Sequence, residues 1–202
     1  MHPPLSDLCA SSEAGERPIP AAAYAVGAEG SFYETDLDLS NASDQAVDYT
    51  FWWLPRDENN SEPTTSEIFT LGAGQSVRYS NVLAAAFDLS PDVAGALRID
   101  TTSDDLRAIA RIANTPQEPD SGSFGQAMAA IRPCDCTGRD ERRRLLFGTE
   151  NADMRYNVGC LNASDTATRV AFELYRSARD PAVVYVGEDE GVGVLRHEDG
   201  GW

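Results

Sequence analysis

The sequence predicts an all-β chain of two β-sandwich modules in tandem, with one short helix in the first module and a second module that reads as incomplete. Three observations carry this. Short segments of alternating apolar and polar residues recur between Gly, Pro and Asn turn signals, as in a sandwich, and not as strands alternating with helices. The tetrapeptide Asn-Ala-Ser-Asp occurs at 41–44 and again at 162–165, an offset of 121 residues. Only one stretch, NVLAAAFDL at 81–89, has helical composition, with Asn81 placed to cap it.

The organisation that follows is an N-terminal arm over 1–17, a first module over 18–132, a connector over 133–144 and a second, shorter module over 145–202. In the first module Tyr33, Thr35, Leu37 and Leu39 share one strand face, and Val47, Tyr49, Phe51 and Trp53 repeat the pattern after the turn. The second copy keeps the pattern with Val158 and Cys160, then Val170, Phe172 and Leu174. Each copy is therefore expected to open with a hairpin-like strand pair, its turn held by Asn or Asp side chains bonded to the backbone two residues on. Further strands are expected at Ser66–Leu71, Gln75–Ser80, Ala94–Thr101 and Leu106–Ala113, then a polar loop at Thr115–Ser123 and a last strand within Phe124–Arg132. In the second copy the closing HEDGGW reads like the Leu71–Ser76 turn, which leaves the strands from Val77 onward without a counterpart.

Composition narrows the chemistry. Acidic residues number 33 against 16 basic ones, a net charge of -17, and that field repels nucleic acid and anionic lipid. Every basic residue is an arginine, so Schiff-base chemistry and a P-loop lysine are excluded. The two histidines, His2 and His197, stand near the chain ends, and no G-x-S-x-G motif occurs. No catalytic residue, cofactor or metal ligand is singled out. No run of about 18 apolar residues exists to span a membrane, and the first residues lack the basic and apolar regions of a signal peptide. Membrane association is expected only through a partner or a missing leader.

Four cysteines, Cys9, Cys134, Cys136 and Cys160, form an even set. One intervening residue would strain a bridge within Pro-Cys-Asp-Cys, so Cys9 is the natural partner for that segment. Such a bridge would close a loop of roughly 125 residues and contribute on the order of 4 to 5 kcal/mol. Four free thiols, or a metal site without the usual C-x-x-C spacing, are the alternatives.

The runs GAEGSFYETDLDLSNASD, WWLPRD, LGAGQSVRYSNVLAAAFDL, AGALRI and SGSFGQ resemble a family of bacterial extracytoplasmic Ig-like β-sandwich repeats, found in tandem or appended to secreted enzymes. The resemblance covers about Ile19–Arg132 well and Leu145–Ala178 weakly. It implies a periplasmic or extracellular location and a non-enzymatic role, and it transfers no active site.

Three surface features are candidate sites. Glu34, Asp36 and Asp38 alternate along one strand about 7 Å apart, as a cation site or, more plainly, as a solvated stripe paired with Arg107 and Arg111. The second copy has Arg155, Asn157 and Gly159 at those positions, so the strand survives without the charges. Trp52 and Leu54 face away from Phe51 and Trp53, as an interface anchor or as a patch covered by the Arg56–Thr65 loop or the N-terminal arm. Arg139, Arg142, Arg143 and Arg144 form the one basic cluster, with Arg142 and Arg143 as contacts for an acidic partner or for the neighbouring module. The expectation is a non-catalytic accessory or structural subunit whose partner is another protein at an exposed sheet edge. A carbohydrate- or cation-binding adhesion module is the alternative, and a divergent hydrolase the third.

Overall fold

A computed structural model of the chain describes residues 15–27, 30–115, 122–132, 135–137, 158–162, 168–175, 183–191 and 193–197. In order these form β1 (Arg17–Val26), β2 (Phe32–Asn41), β3 (Val47–Pro55), β4 (Thr64–Leu71), β5 (Ser76–Tyr79), helix α1 (Val82–Phe87), β6 (Val93–Thr101), β7 (Leu106–Thr115) and β8 (Gly125–Ala129). They continue with β9 (Val158–Asn162), β10 (Thr168–Tyr175), β11 (Val183–Gly191) and β12 (Gly193–His197). Among the described residues the fold is all-β with one short helix, as the alternation requires.

Strands β1 to β8 make one antiparallel sheet in the order β4-β3-β6-β1-β2-β7-β8, with β5 also on β2. β1 joins its two halves. Residues between Arg17 and Tyr24 pair with β6, with a register break between Ile19 and Ala22, and Ala25 and Val26 pair with β2. The halves close over a single core, because Ile19 of β1, Leu37 and Leu39 of β2, Phe51 and Trp53 of β3, Leu97 and Ile99 of β6 and Leu106 of β7 belong to one buried cluster. A flat eight-stranded sheet would keep those faces apart, so the packing is consistent with a β-sandwich. Gly95 on β6 is required by the strand beside it: a Cβ there would collide with the Leu54 carbonyl and the Trp53 ring of β3.

The inward sets match the alternation: Thr35, Leu37 and Leu39 on β2, and Val47, Tyr49, Phe51 and Trp53 on β3, are buried. The pairing does not match. β2 and β3 were expected to lie side by side, yet β2 pairs with β1, β5 and β7 while β3 pairs with β4 and β6. The Asn-Ala-Ser-Asp segment is thus an arch between the halves. Period-two alternation says which face a residue takes, not which strand lies beside it. β1 is a further strand absent from the expectation, since Pro18 and Pro20 remove two ladder donors. The Pro18 carbonyl is nonetheless used, accepting from the Ile131 N–H at 3.1 Å.

Some strand boundaries recur at the 121-residue offset. Asn41 ends β2 and Val47 opens β3; at the 121-residue offset Asn162 ends β9 and Thr168 opens β10. β10 pairs with β11 as β3 pairs with β4, and β9 pairs with β12 as β2 pairs with β5.

At one end of the core Tyr49, Phe51, Phe69 and Tyr79 form a ring cluster with centroids 5.1–5.6 Å apart. The Tyr49 and Tyr79 hydroxyls hydrogen-bond at 2.7 Å. Burial pushes both phenols above their ordinary range, and for Tyr49 the bond to Tyr79 adds to it. A folded pKa above the unfolded one gives stability that is present below the unfolded value, about 10, and lost as pH rises past it. On alkaline titration a late phenolate step should coincide with loss of the near-UV circular dichroism signal. Complete phenol ionisation while that signal persists would refute the buried pair.

Candidate functional site

The outer face of β3 and β6 carries the Trp52 patch. Register places Trp52 opposite Arg98 and Leu54 opposite Ala96, so these four side chains share the face turned away from the core. Trp52 is half-buried, because the Arg98 guanidinium lies over its ring at 3.7 Å from the centroid. The same arginine forms ion pairs with Asp100 at 2.9 Å and Glu16 at 3.4 Å. A cation held over an indole by two carboxylates is a fixed polar surface.

Leu54, expected beside Trp52 as an exposed apolar neighbour, is only 7% exposed. It forms a second small cluster with Ala96, and Leu161 of β9 packs against both. Of the two alternatives, an open anchor or a covered patch, the described residues fit the covered one: Arg98, ion-paired with Glu16 of the N-terminal arm, lies over Trp52, and Leu161 of β9 packs on the Leu54 cluster. Leu161 lies at the 121-residue offset from Ser40, an outward position of β2. A serine in one copy and a leucine in the other, at an outward position, is the signal in the sequence for this contact.

On β2 the acidic residues are engaged one by one. Glu34 accepts from Asn81 Nδ2 and from Thr115 Oγ1, both at 3.0 Å, and Asp36 accepts from the Asn81 N–H at 3.1 Å. These bonds hold Asn81 in the left-handed conformation, φ 45°, from which its side chain caps α1 by accepting from the Ala84 N–H. Asp38 accepts two bonds from Arg78 of β5, at 2.7 and 2.6 Å. Those bonds hold its carboxyl below the usual carboxylate range. The expected pairing with Arg107 and Arg111 is therefore not the one formed. Arg107 instead donates to the Asp104 carbonyl, and Arg111 to Ser123 Oγ at 3.3 Å. Asp38, Ser40, Ser76, Arg78, Arg107 and Ile109 line a shallow groove of about 430 Å³. Among the described residues no group of three or more His, Cys, Asp or Glu is placed to hold a metal.

Of the four cysteines of the disulfide expectation, two are described. No disulfide is found among the described residues, where Cys136 and Cys160 are half-buried thiols. The Cys136 thiol turns back on its own loop and donates to the Arg132 carbonyl at 3.6 Å, while Cys160 sits within the β9–β12 ladder. Cys9, Cys134, Arg142 and Arg143 lie outside the described residues. Among the described residues no helix is long and apolar enough to cross a membrane.

The feature that alternation could not locate is the sheet edge. Among the described residues β4 ends the strand order, is bonded to β3 alone, and carries Ile68 at 73% exposure.

Comparison with known proteins adds little. No family model and no curated protein matches the chain. Among solved structures, the crystal structure of Thermotoga maritima 1070 is similar over 59% of this chain and 94% of that one, at 9% identity and a TM-score of 0.46. A likeness of that size assigns neither family nor function.

Proposed function

We propose that the chain is a non-catalytic, extracytoplasmic protein that binds another protein as an accessory or structural subunit of a larger assembly, through the sheet edge at β4. One observation carries the reading: β4 is an eight-residue strand at the end of the sheet, with Ile68 exposed. Edge strands are commonly blunted by Lys, Pro or inward charge. β4, TTSEIFTL, has neither Lys nor Pro and one carboxylate, so it offers its backbone to a further strand. The complete absence of lysine and the paucity of histidine support a non-catalytic role. Two Ig-like modules in tandem are supported by the shared strand boundaries and shared pairings of the two copies, and the extracytoplasmic location by the resemblance of the first copy to bacterial repeats.

The test is a comparison of wild type with Ile68→Lys as bait against native membrane and periplasmic extracts. A change on an exposed position should shift stability by no more than about 0.5 kcal/mol, while recovery of the specific partner should fall at least about tenfold. Equal recovery by both baits, or no specific partner for wild type, would sink the reading. The second reading, a carbohydrate- or cation-binding module, is favoured only by the Asp38–Arg107 groove. It calls for a rise in Tm on a glycan or calcium screen that disappears in Arg78→Ala.

A further inference from the structure

The acceptor signal for N-linked glycosylation, Asn-x-Ser or Asn-x-Thr with x other than Pro, occurs three times in this chain: Asn41-Ala42-Ser43, Asn59-Asn60-Ser61 and Asn162-Ala163-Ser164. The fold treats the three differently. Asn41 is 1% exposed, and its amide nitrogen donates to the carbonyls of Gln45, Leu71 and Gly72 at 2.7–3.1 Å, so no transferase can reach it in the folded chain. Asn162 is half-buried at the end of β9, opposite Gly193 in the ladder.

Asn59 is exposed, in the loop between β3 and β4. Its Oδ1 accepts from the Ser61 N–H at 3.1 Å, which brings asparagine and serine together in one tight turn, and its Nδ2 makes no hydrogen bond among the described residues. Asn60 fixes the loop beneath it, donating from Nδ2 to the carbonyls of Pro55 at 3.0 Å and Glu58 at 3.1 Å. Asp57, two residues before Asn59, is also exposed and touches only its neighbour Arg56, at 2.9 Å, a surface pair too weak to withhold it. Of the three asparagines, Asn59 alone has a carboxylate two residues before it, where it offers its charge to a transferase together with the downstream hydroxyl; Asn41 has Leu39 there and Asn162 has Cys160.

We propose that Asn59 is an N-glycosylation acceptor, recognised through Asp57 and Ser61, for an oligosaccharide carried on a polyprenyl pyrophosphate. In the transfer, Nδ2 of Asn59 forms a bond to the anomeric carbon of the first sugar. The bond from that carbon to the pyrophosphate oxygen breaks, and polyprenyl pyrophosphate leaves with the electron pair. The amide nitrogen gives up one proton to a carboxylate of the transferase. Modification in the cell rests on the extracytoplasmic reading, because the donor is presented outside the cytoplasm; the acceptor itself does not.

The experiment therefore uses the purified, folded full-length chain with a purified bacterial oligosaccharyltransferase and a lipid-pyrophosphate-linked oligosaccharide. Intact mass should rise by one glycan, glycopeptide mapping should place it on Asn59, and Asn59→Gln and Ser61→Ala should each abolish it. Asp57→Ala should lower the transfer rate at least tenfold. An unmodified wild-type chain, or a glycan on Asn162 or Asn41, overturns the proposal, and an undiminished rate in Asp57→Ala overturns the part given to Asp57. Cell fractionation is read separately. Recovery of the chain only from the cytosol would sink the location while transfer in vitro would still establish the acceptor.

Discussion

Replacing Phe51 with alanine is expected to destabilise the protein by about 3 to 5 kcal/mol, the usual range for deleting a buried phenyl ring. Phe51 is fully buried and sits among Tyr49, Phe69 and Tyr79, with ring centroids 5.1–5.5 Å away. Those partners come from β3, β4 and β5, strands of both halves of the sheet, so the cavity cannot be filled by sliding one strand. Edge-to-face contact with Tyr79, at 90° between ring planes, is also lost. Urea denaturation followed by near-UV circular dichroism should show the midpoint falling sharply with little change in slope. Ile68→Ala on the exposed face of β4 is the control and should stay within about 0.5 kcal/mol of wild type. Should the two variants prove equally mild, the two halves of the sheet do not share one core.

The faces of the strands were legible in the sequence because burial imposes a period of two, and Leu37, Leu39, Phe51 and Trp53 obey it. The cap at Asn81 and the helix after it were legible because that signal is local. What could not be read is neighbourhood. Asp38 finds Arg78 and not Arg107, Trp52 finds Arg98, and Leu54 finds Leu161, and each of these pairs is set by strand order across long sequence separations. The same limit explains the arch read as a hairpin, since Asn-Ala-Ser-Asp between two alternating segments suits either connection. The candidate patch at Trp52 and Leu54 was therefore placed on the right face, but its covering by Arg98 and Leu161 depends on which strands adjoin. Edge status is likewise a property of the whole sheet, and nothing local to TTSEIFTL distinguishes an end strand from a central one.

Asn41 is the position where this arch can be broken with a single atom. Its Nδ2 serves three carbonyls, of Gln45, Leu71 and Gly72, and its Oδ1 accepts from the Ser43 N–H at 3.0 Å and Oγ at 2.7 Å. It thereby ties the arch between β2 and β3 to the turn that follows β4. Asn41→Ala should cost about 2 to 4 kcal/mol, because carbonyls shielded from water lose their donor. Asn162→Ala, at the half-buried counterpart, should cost less. Asn41→Asp separates the hydrogen-bond argument from simple loss of packing. The new oxygen replaces a donor and faces three carbonyl oxygens, so burial and repulsion both push the carboxyl pKa up in the folded state. A folded pKa above the unfolded one means that protonation stabilises this variant, with the contribution present below the unfolded value and lost as pH rises through the folded one. The stability gap between Asn41→Asp and wild type should therefore narrow as pH is lowered from neutrality towards the carboxylate range, while the gap for Asn41→Ala stays constant. Parallel pH profiles for the two variants would show that the side chain fills space at the arch without bonding across it.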